Sequence, residues 1–111
     1  MGMIAVEDFD KVEVRVGTIL EVRDNKRTRN PAYVLTIDFG PTVGIRKSSA
    51  QITVLYSKQE LVGRQVVCCT NLKPLHIGSV DSEVRILGTD SEQGVVLLQP
   101  AEGVRDGDRV F

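Results

Sequence analysis

The sequence predicts an all-β domain: a five-stranded Greek-key barrel with a short helix between the third and fourth strands and short terminal extensions. Three observations predict it. Apolar and polar residues alternate with period two, most clearly where Val12, Val14, Val16, Leu20 and Val22 stand against Glu13, Arg15, Glu21 and Arg23. The apolar positions are rich in β-branched valine and isoleucine, which suit a pleated backbone. The segments run as three strands, a stretch of helical spacing and two further strands, the connectivity of a small Greek-key barrel.

Each element has its own signal. Gly17 interrupts the first strand, where a missing side chain permits a bulge, and one long bent strand can serve both halves of a closed barrel. Residues 24–31 are polar and carry Asn30-Pro31, so they read as a loop. Tyr33, Leu35, Ile37 and Phe39 alternate with Val34, Thr36 and Asp38 to give the second strand. Gly40-Pro41 turns the chain, and residues 43–49 give the third strand with Val43 and Ile45 inward. Ile52, Leu55, Tyr56 and Leu61 share one side at helical spacing, which places the short helix within 52–61. Residues 65–70 form the fourth strand, 71–81 a long loop with Pro74 and Gly78, and 83–87 the fifth strand. Residues 95–99 and 109–111 add terminal strands. Together these describe an OB-fold.

A chain of 111 residues supports a single domain, and 41% hydrophobic with 26% charged residues is ordinary globular composition. No apolar run approaches the roughly 20 residues needed to span a bilayer, and no secretory leader is visible at the start. Cys68 and Cys69 are adjacent and point to opposite faces of a strand, so a disulfide between them is not expected. These features predict a cytoplasmic protein that does not insert into membranes.

The net charge of −1 conceals an uneven distribution. Residues 1–22 hold two basic and five acidic side chains, residues 23–85 ten basic and five acidic, and residues 86–111 two basic and five acidic. A basic middle between acidic ends predicts a local positive face.

Catalytic chemistry finds little support. The one histidine, His76, has no orienting carboxylate or nucleophile marked beside it in sequence, so an enzyme built on it is the weakest reading. Cys68 and Cys69 lack metal-ligand spacing and read as a core and a surface residue of one strand. No phosphate loop or dinucleotide fingerprint occurs, and neither a cofactor nor a metal is expected.

Several stretches resemble one family. Residues 7–19, from Glu7-Asp8-Phe9-Asp10-Lys11 through Arg15-Val16-Gly17-Thr18-Ile19, are similar to the opening pattern of the tRNA-binding-domain family, the EMAP-II-like OB-folds. Asn71-Leu72-Lys73-Pro74, Ile77-Gly78 and Ser82-Glu83 resemble the loop before its fifth strand. Ile37-Asp38-Phe39-Gly40, the run from Gly44 to Thr53, and Val96-Leu97-Leu98-Gln99-Pro100 are similar to its CsaA-type export-chaperone branch. The resemblance covers residues 7–111. It implies an OB barrel, a homodimer, tRNA as partner in the wider family, and unfolded or preprotein polypeptide as partner in the CsaA-type branch.

Two binding readings follow. For tRNA, phosphate contacts call for exposed cations: Lys26, Arg27 and Arg29 in the first loop, Arg46 and Lys47 on the third strand, Lys73 in the later loop and Arg85 on the fifth strand. The family resemblance adds Asn71, Ser82 and Glu83 as nucleotide contacts. For a passive chaperone, Leu72, Leu75 and Ile77 form an apolar run that could line a groove shaped by two subunits, or, for Ile77 above all, pack onto its own barrel. Three features oppose strong nucleic-acid binding: a pI of about 5.8, 5% aromatics without tryptophan, and Leu75-His76 where CsaA-type proteins often carry adjacent basic residues. A structural or regulatory dimer is the alternative, with residues 4–9 and 104–111 as candidate dimer contacts.

Overall fold

The structure, a computed structural model, describes residues 1–111. In chain order its elements are α1 (Val6–Asp10), β1 (Val14–Asp24), β2 (Tyr33–Asp38), α2 (Gly40–Val43), β3 (Ile45–Ala50), α3 (Lys58–Leu61), β4 (Gln65–Cys69), β5 (Leu75–Ile77), β6 (Val80–Ser82), β7 (Arg85–Ile86), β8 (Gly88–Ser91), β9 (Gly94–Leu97) and β10 (Arg109–Val110). The main sheet runs β3-β2-β1-β4-β7, with β10 added on β1. This is the expected five-stranded, barrel-like OB architecture. No helix is long and apolar enough to cross a membrane.

Strand β1 serves both halves of the barrel. Its first half pairs with β4, from Val14 opposite Cys69 to Thr18 opposite Gln65. Its second half pairs with β2, from Thr18 opposite Asp38 to Asp24 opposite Tyr33. The register shifts between Ile19 and Glu21, so the bulge is at Leu20, not at Gly17. Gly17 and Ile19 face the barrel core while Val14 and Val16 face the opposite side; the bulge then shifts the core-facing phase to Val22 and leaves Leu20 exposed, against the expectation that Leu20 faces inward. Gly17 answers a different need. A Cβ there would lie 2.6 Å from Ile37 Cγ2 and 2.8 Å from the Phe39 ring.

The barrel core comprises Ile19, Tyr33, Leu35, Ile37, Phe39, Ala50, Ile52, Leu61, Val66, Cys68, Val84 and Leu97. Val14, Val16 and Val67 form a separate buried cluster with Leu87 packed against it. Val12 precedes the strand and is exposed.

Five other expectations need correction. Gly40-Pro41 opens the one-turn helix α2, and Gly44, at φ 81, resets the chain before β3. Val43 therefore packs on the core from α2, whereas β3 buries Ser48 and Ala50 and leaves Ile45 exposed. The helix within 52–61 contracts to Lys58–Leu61. The β-branched run Ile52-Thr53-Val54 disfavours helix, and the chain becomes helical only at Ser57, whose hydroxyl and backbone N–H exchange hydrogen bonds with Glu60 in a capping box. The long loop 71–81 contains the hairpin β5–β6, turned by Gly78 (φ 61) and Ser79. The fifth strand shortens to Arg85–Ile86, and β8 forms a second hairpin with β9. At the other end of the barrel the chain 104–108 lies across β1, where Arg15 Nη1 donates to Gly107 O and Thr18 Oγ1 to Asp106 Oδ1, at 2.8 and 2.6 Å.

Candidate nucleic-acid interface

Strands β3 and β7 are the two edges of the main sheet, and no backbone ladder joins them. The seam is bridged another way. Lys47 N–H donates to Glu83 Oε1 at 3.0 Å, Glu83 N–H donates to Lys47 O at 2.8 Å, and Ser49 N–H donates to Ser82 Oγ at 3.0 Å. Two side chains thus satisfy edge-strand donors that a ladder would otherwise take. Along this seam runs a groove of about 570 Å³. Its walls include Lys73, Ser82, Glu83 and Arg85 of the tRNA set and all three of Leu72, Leu75 and Ile77. Ile77 remains partly exposed there instead of disappearing into the barrel.

The other sequence-derived residues lie outside the groove walls. Asn71 ties the start of β1 to the end of β4: its Oδ1 accepts from Glu13 N–H at 2.9 Å and its Nδ2 donates to Lys11 O at 2.7 Å. Ser82 and Glu83 also have the framework role just described, so all three residues attributed to nucleotide contact carry structural hydrogen bonds. Arg46 and Lys47 are consecutive on β3 and project to opposite faces. Lys26, Arg27 and Arg29 occupy the β1–β2 connection, and all three are exposed. Arg27 is the only non-glycine residue with a left-handed backbone, at φ 65.

The ion pairs of the molecule are Lys11–Asp8, Arg15–Glu13, Lys58–Asp24 and His76–Asp81. None of Lys26, Arg27, Arg29, Arg46, Lys47, Lys73 and Arg85 belongs to them. The seven cations singled out from sequence are therefore uncompensated by carboxylates of the chain itself.

One residue of this region has no signal in the sequence. Asn25 is buried, 6% exposed, at the entrance of the β1–β2 connection. Its Nδ2 donates to Ser49 Oγ at 2.8 Å and to Ile77 O at 3.0 Å. Its Oδ1 accepts from Ser79 N–H at 3.0 Å and from Ser79 Oγ at 2.9 Å. The basic connection is thereby tied to β3 and to the hairpin that walls the groove. In sequence, an asparagine in a polar stretch signals only a turn.

Reactive side chains are sparse. His76 does have a carboxylate partner, contrary to expectation: Nδ1 lies 2.7 Å from Asp81 Oδ1 across the hairpin, with both side chains exposed. Both cysteines are buried free thiols, so Cys69 is not the surface residue expected. Burial, with a lesser contribution from Cys69, pushes the Cys68 thiol up to about 12. No group of His, Cys, Asp and Glu is arranged to hold a metal ion.

Comparison with known proteins places this architecture. The family model for a "tRNA binding domain" matches residues 14–109. The chain belongs to the tRNA-binding-domain family. Among solved members of similar size, this tRNA-binding domain is similar to the CsaA chaperone protein of Picrophilus torridus, at 43% identity and a TM-score of 0.93 over 98% of this chain and 100% of that one. It is similar to the CsaA chaperone of Bacillus anthracis at 38% identity and a TM-score of 0.91, over 99% of this chain and 100% of the other. The CsaA-type resemblance drawn from residues 37–53 and 96–100 is thereby borne out. The methionine–tRNA ligase of Thermococcus onnurineus is 35% identical over 96% of this chain, which spans 14% of that enzyme's length.

Proposed function

We propose that this protein binds tRNA across a surface made of the β1–β2 connection, β3 and the seam groove, and that it does so as a cytoplasmic homodimer without a catalytic step of its own. The observation that carries this reading is the set of seven exposed or half-exposed cations without intramolecular carboxylate partners, three of them in the β1–β2 connection, two on β3 and two along the groove. Cations left unpaired in the free protein are available to replace the counterions condensed on a phosphate backbone. OB-folds present ligands on the second and third strands and on the loops after the first and fourth, where all of these residues but Arg85 sit. A homodimer is supported by apolar side chains left uncovered at both ends of the chain, among them Ile4, Val6, Phe9, Val110 and Phe111. Two copies of a modest cationic patch on one RNA would act with a high effective concentration, which offsets the low overall pI.

The test is binding of total tRNA over a salt series. The logarithm of affinity should fall linearly with the logarithm of salt, and each phosphate contact removed, as in Lys47→Ala, should lower the slope by about 0.7–0.9. A flat salt dependence would sink the reading.

A second reading is favoured by a separate observation. Leu72, Leu75 and Ile77 are 49%, 66% and 36% exposed along the groove. An unfolded or preprotein segment could be held passively there by apolar contact. Such binding would persist at high salt and be lost in Leu75→Asp.

A further inference from the structure

We propose that Asn25 is a positioning residue for the tRNA-binding surface: it locks the β1–β2 connection to the β5–β6 hairpin, so that Lys26, Arg27 and Arg29 meet the phosphate backbone as one rigid body with the groove. The inference rests on the tRNA reading above.

The lock has two halves. From the loop side, the Asn25 amide reaches Ser49, Ile77 and Ser79 through four hydrogen bonds, and its own N–H donates to Ala32 O at 2.9 Å to close the base of the loop. From the hairpin side, Gly78 is seated against the loop so closely that a Cβ would lie 2.5 Å from Lys26 O and 2.6 Å from Asn25 Oδ1. Gly78 is also at φ 61, so glycine is required by conformation and by space.

The cationic run sits directly on this lock. Lys26 contributes the carbonyl against Gly78, and Arg27 follows in a left-handed conformation that a non-glycine residue adopts only at a cost. Thr28 holds the far side of that residue, with Oγ1 donating to Asn30 O at 2.6 Å. A loop that had to be ordered on binding would lose affinity to chain entropy. Here the base of the loop is already tied to the hairpin in the free protein. Barrel closure does not need the loop, because the β3–β7 seam is bridged through Glu83 and Ser82.

The test is a double-mutant cycle read by binding of total tRNA over a salt series, with wild type, Asn25→Ala, Lys26→Ala/Arg27→Ala and the triple variant. Asn25→Ala should weaken binding by about tenfold near 0.1 M salt and lower the salt slope by about two, although it removes no charge. The triple variant should then bind nearly as Asn25→Ala does. Backbone hydrogen exchange in Asn25→Ala should rise together at position 25, whose N–H donates to Ala32 O, and at Ser79, whose N–H donates to Asn25 Oδ1. Gly78→Ala, which enters the lock from the other side, should reproduce these effects and serves if Asn25→Ala does not fold. Losses that simply add in the triple variant, or a lower melting temperature with an unchanged salt slope, would reduce Asn25 to a structural residue and overturn the proposal. If the wild type itself shows no salt-dependent binding, the tRNA reading fails and the positioning role with it. Wild-type binding that Asn25→Ala and Gly78→Ala leave untouched defeats the positioning role alone.

Discussion

The Oδ1 atom of Asn25 accepts two hydrogen bonds from Ser79, one from the backbone N–H at 3.0 Å and one from the hydroxyl at 2.9 Å. The two residues are 54 positions apart, and the pair joins the loop after the first strand to the turn of the β5–β6 hairpin. Asn25→Leu leaves these donors and Ile77 O without their buried partner. It should cost about 2–3 kcal/mol in urea unfolding, whereas Ser79→Ala, which keeps the backbone bond, should cost about 1 kcal/mol.

Glu83 combines a framework role with a charge that repels phosphate. Glu83→Ala removes the acceptor for Lys47 N–H and should destabilise by about 1–3 kcal/mol. Glu83→Gln keeps an acceptor oxygen for that N–H, so stability should stay within about 0.5 kcal/mol of wild type. Loss of the negative charge in the groove should at the same time tighten tRNA binding, a separation that paired denaturation and binding curves will show.

Gly17 leaves no room for a methyl group, because its Cβ position is 2.6 Å from Ile37 Cγ2. Gly17→Ala should therefore cost about 1–3 kcal/mol by overpacking the core. A melting temperature equal to that of wild type would show that Ile37 and Phe39 can yield.

Glu13 has a carboxyl held below its ordinary value of 4.5, first by the hydrogen bond from Arg15 and then by that from Thr70. A depressed folded-state value means that this stabilisation is present above pH 4.5 and is lost as pH falls through the lower folded value. Acid unfolding of Glu13→Gln should accordingly be shallower than that of wild type below pH 4.5. The side chain is about one-third exposed, so the difference should be small.

Cys68 is fully buried with its thiol pushed up to about 12. At pH 8 in native buffer, alkylation of this residue should be far slower than that of a free thiol and should become fast once denaturant unfolds the barrel. Rapid native-state labelling of Cys68, read by peptide mass, would show a strand that opens locally.

Elements whose pattern is set by their own neighbours were legible. Strand β2 is legible within a residue of Tyr33–Asp38 because Tyr33, Leu35 and Ile37 alternate against one core, and β4 is legible as a short continuous apolar run, Val-Val-Cys-Cys, buried on both faces. The side-chain phase of β3 was not, because it follows from Leu35 facing Ser48 across the register and from the reset at Gly44. The β5–β6 hairpin was hidden for another reason: Leu75, His76 and Ile77 are all at least partly exposed, so no inward–outward alternation marks a strand. The cationic residues were readable one by one, since exposure of lysine and arginine is the default. That Lys73 and Arg85 share a groove with Leu72, Leu75 and Ile77 was not.

The chain's linear order was sufficient for an all-β barrel of the tRNA-binding-domain type, for its basic middle, and for the absence of familiar catalytic motifs. These rest on period-two hydrophobicity, residue type and local motifs, which neighbouring residues impose on one another. The tertiary structure alone decided that the sheet edges meet through Glu83 and Ser82, that a groove opens along that seam, and that Asn25 binds the basic loop to its wall. Those outcomes depend on register, on one extra residue at Leu20 and on hydrogen bonds between residues 24 to 54 positions apart, and such distances leave no periodic trace in a sequence.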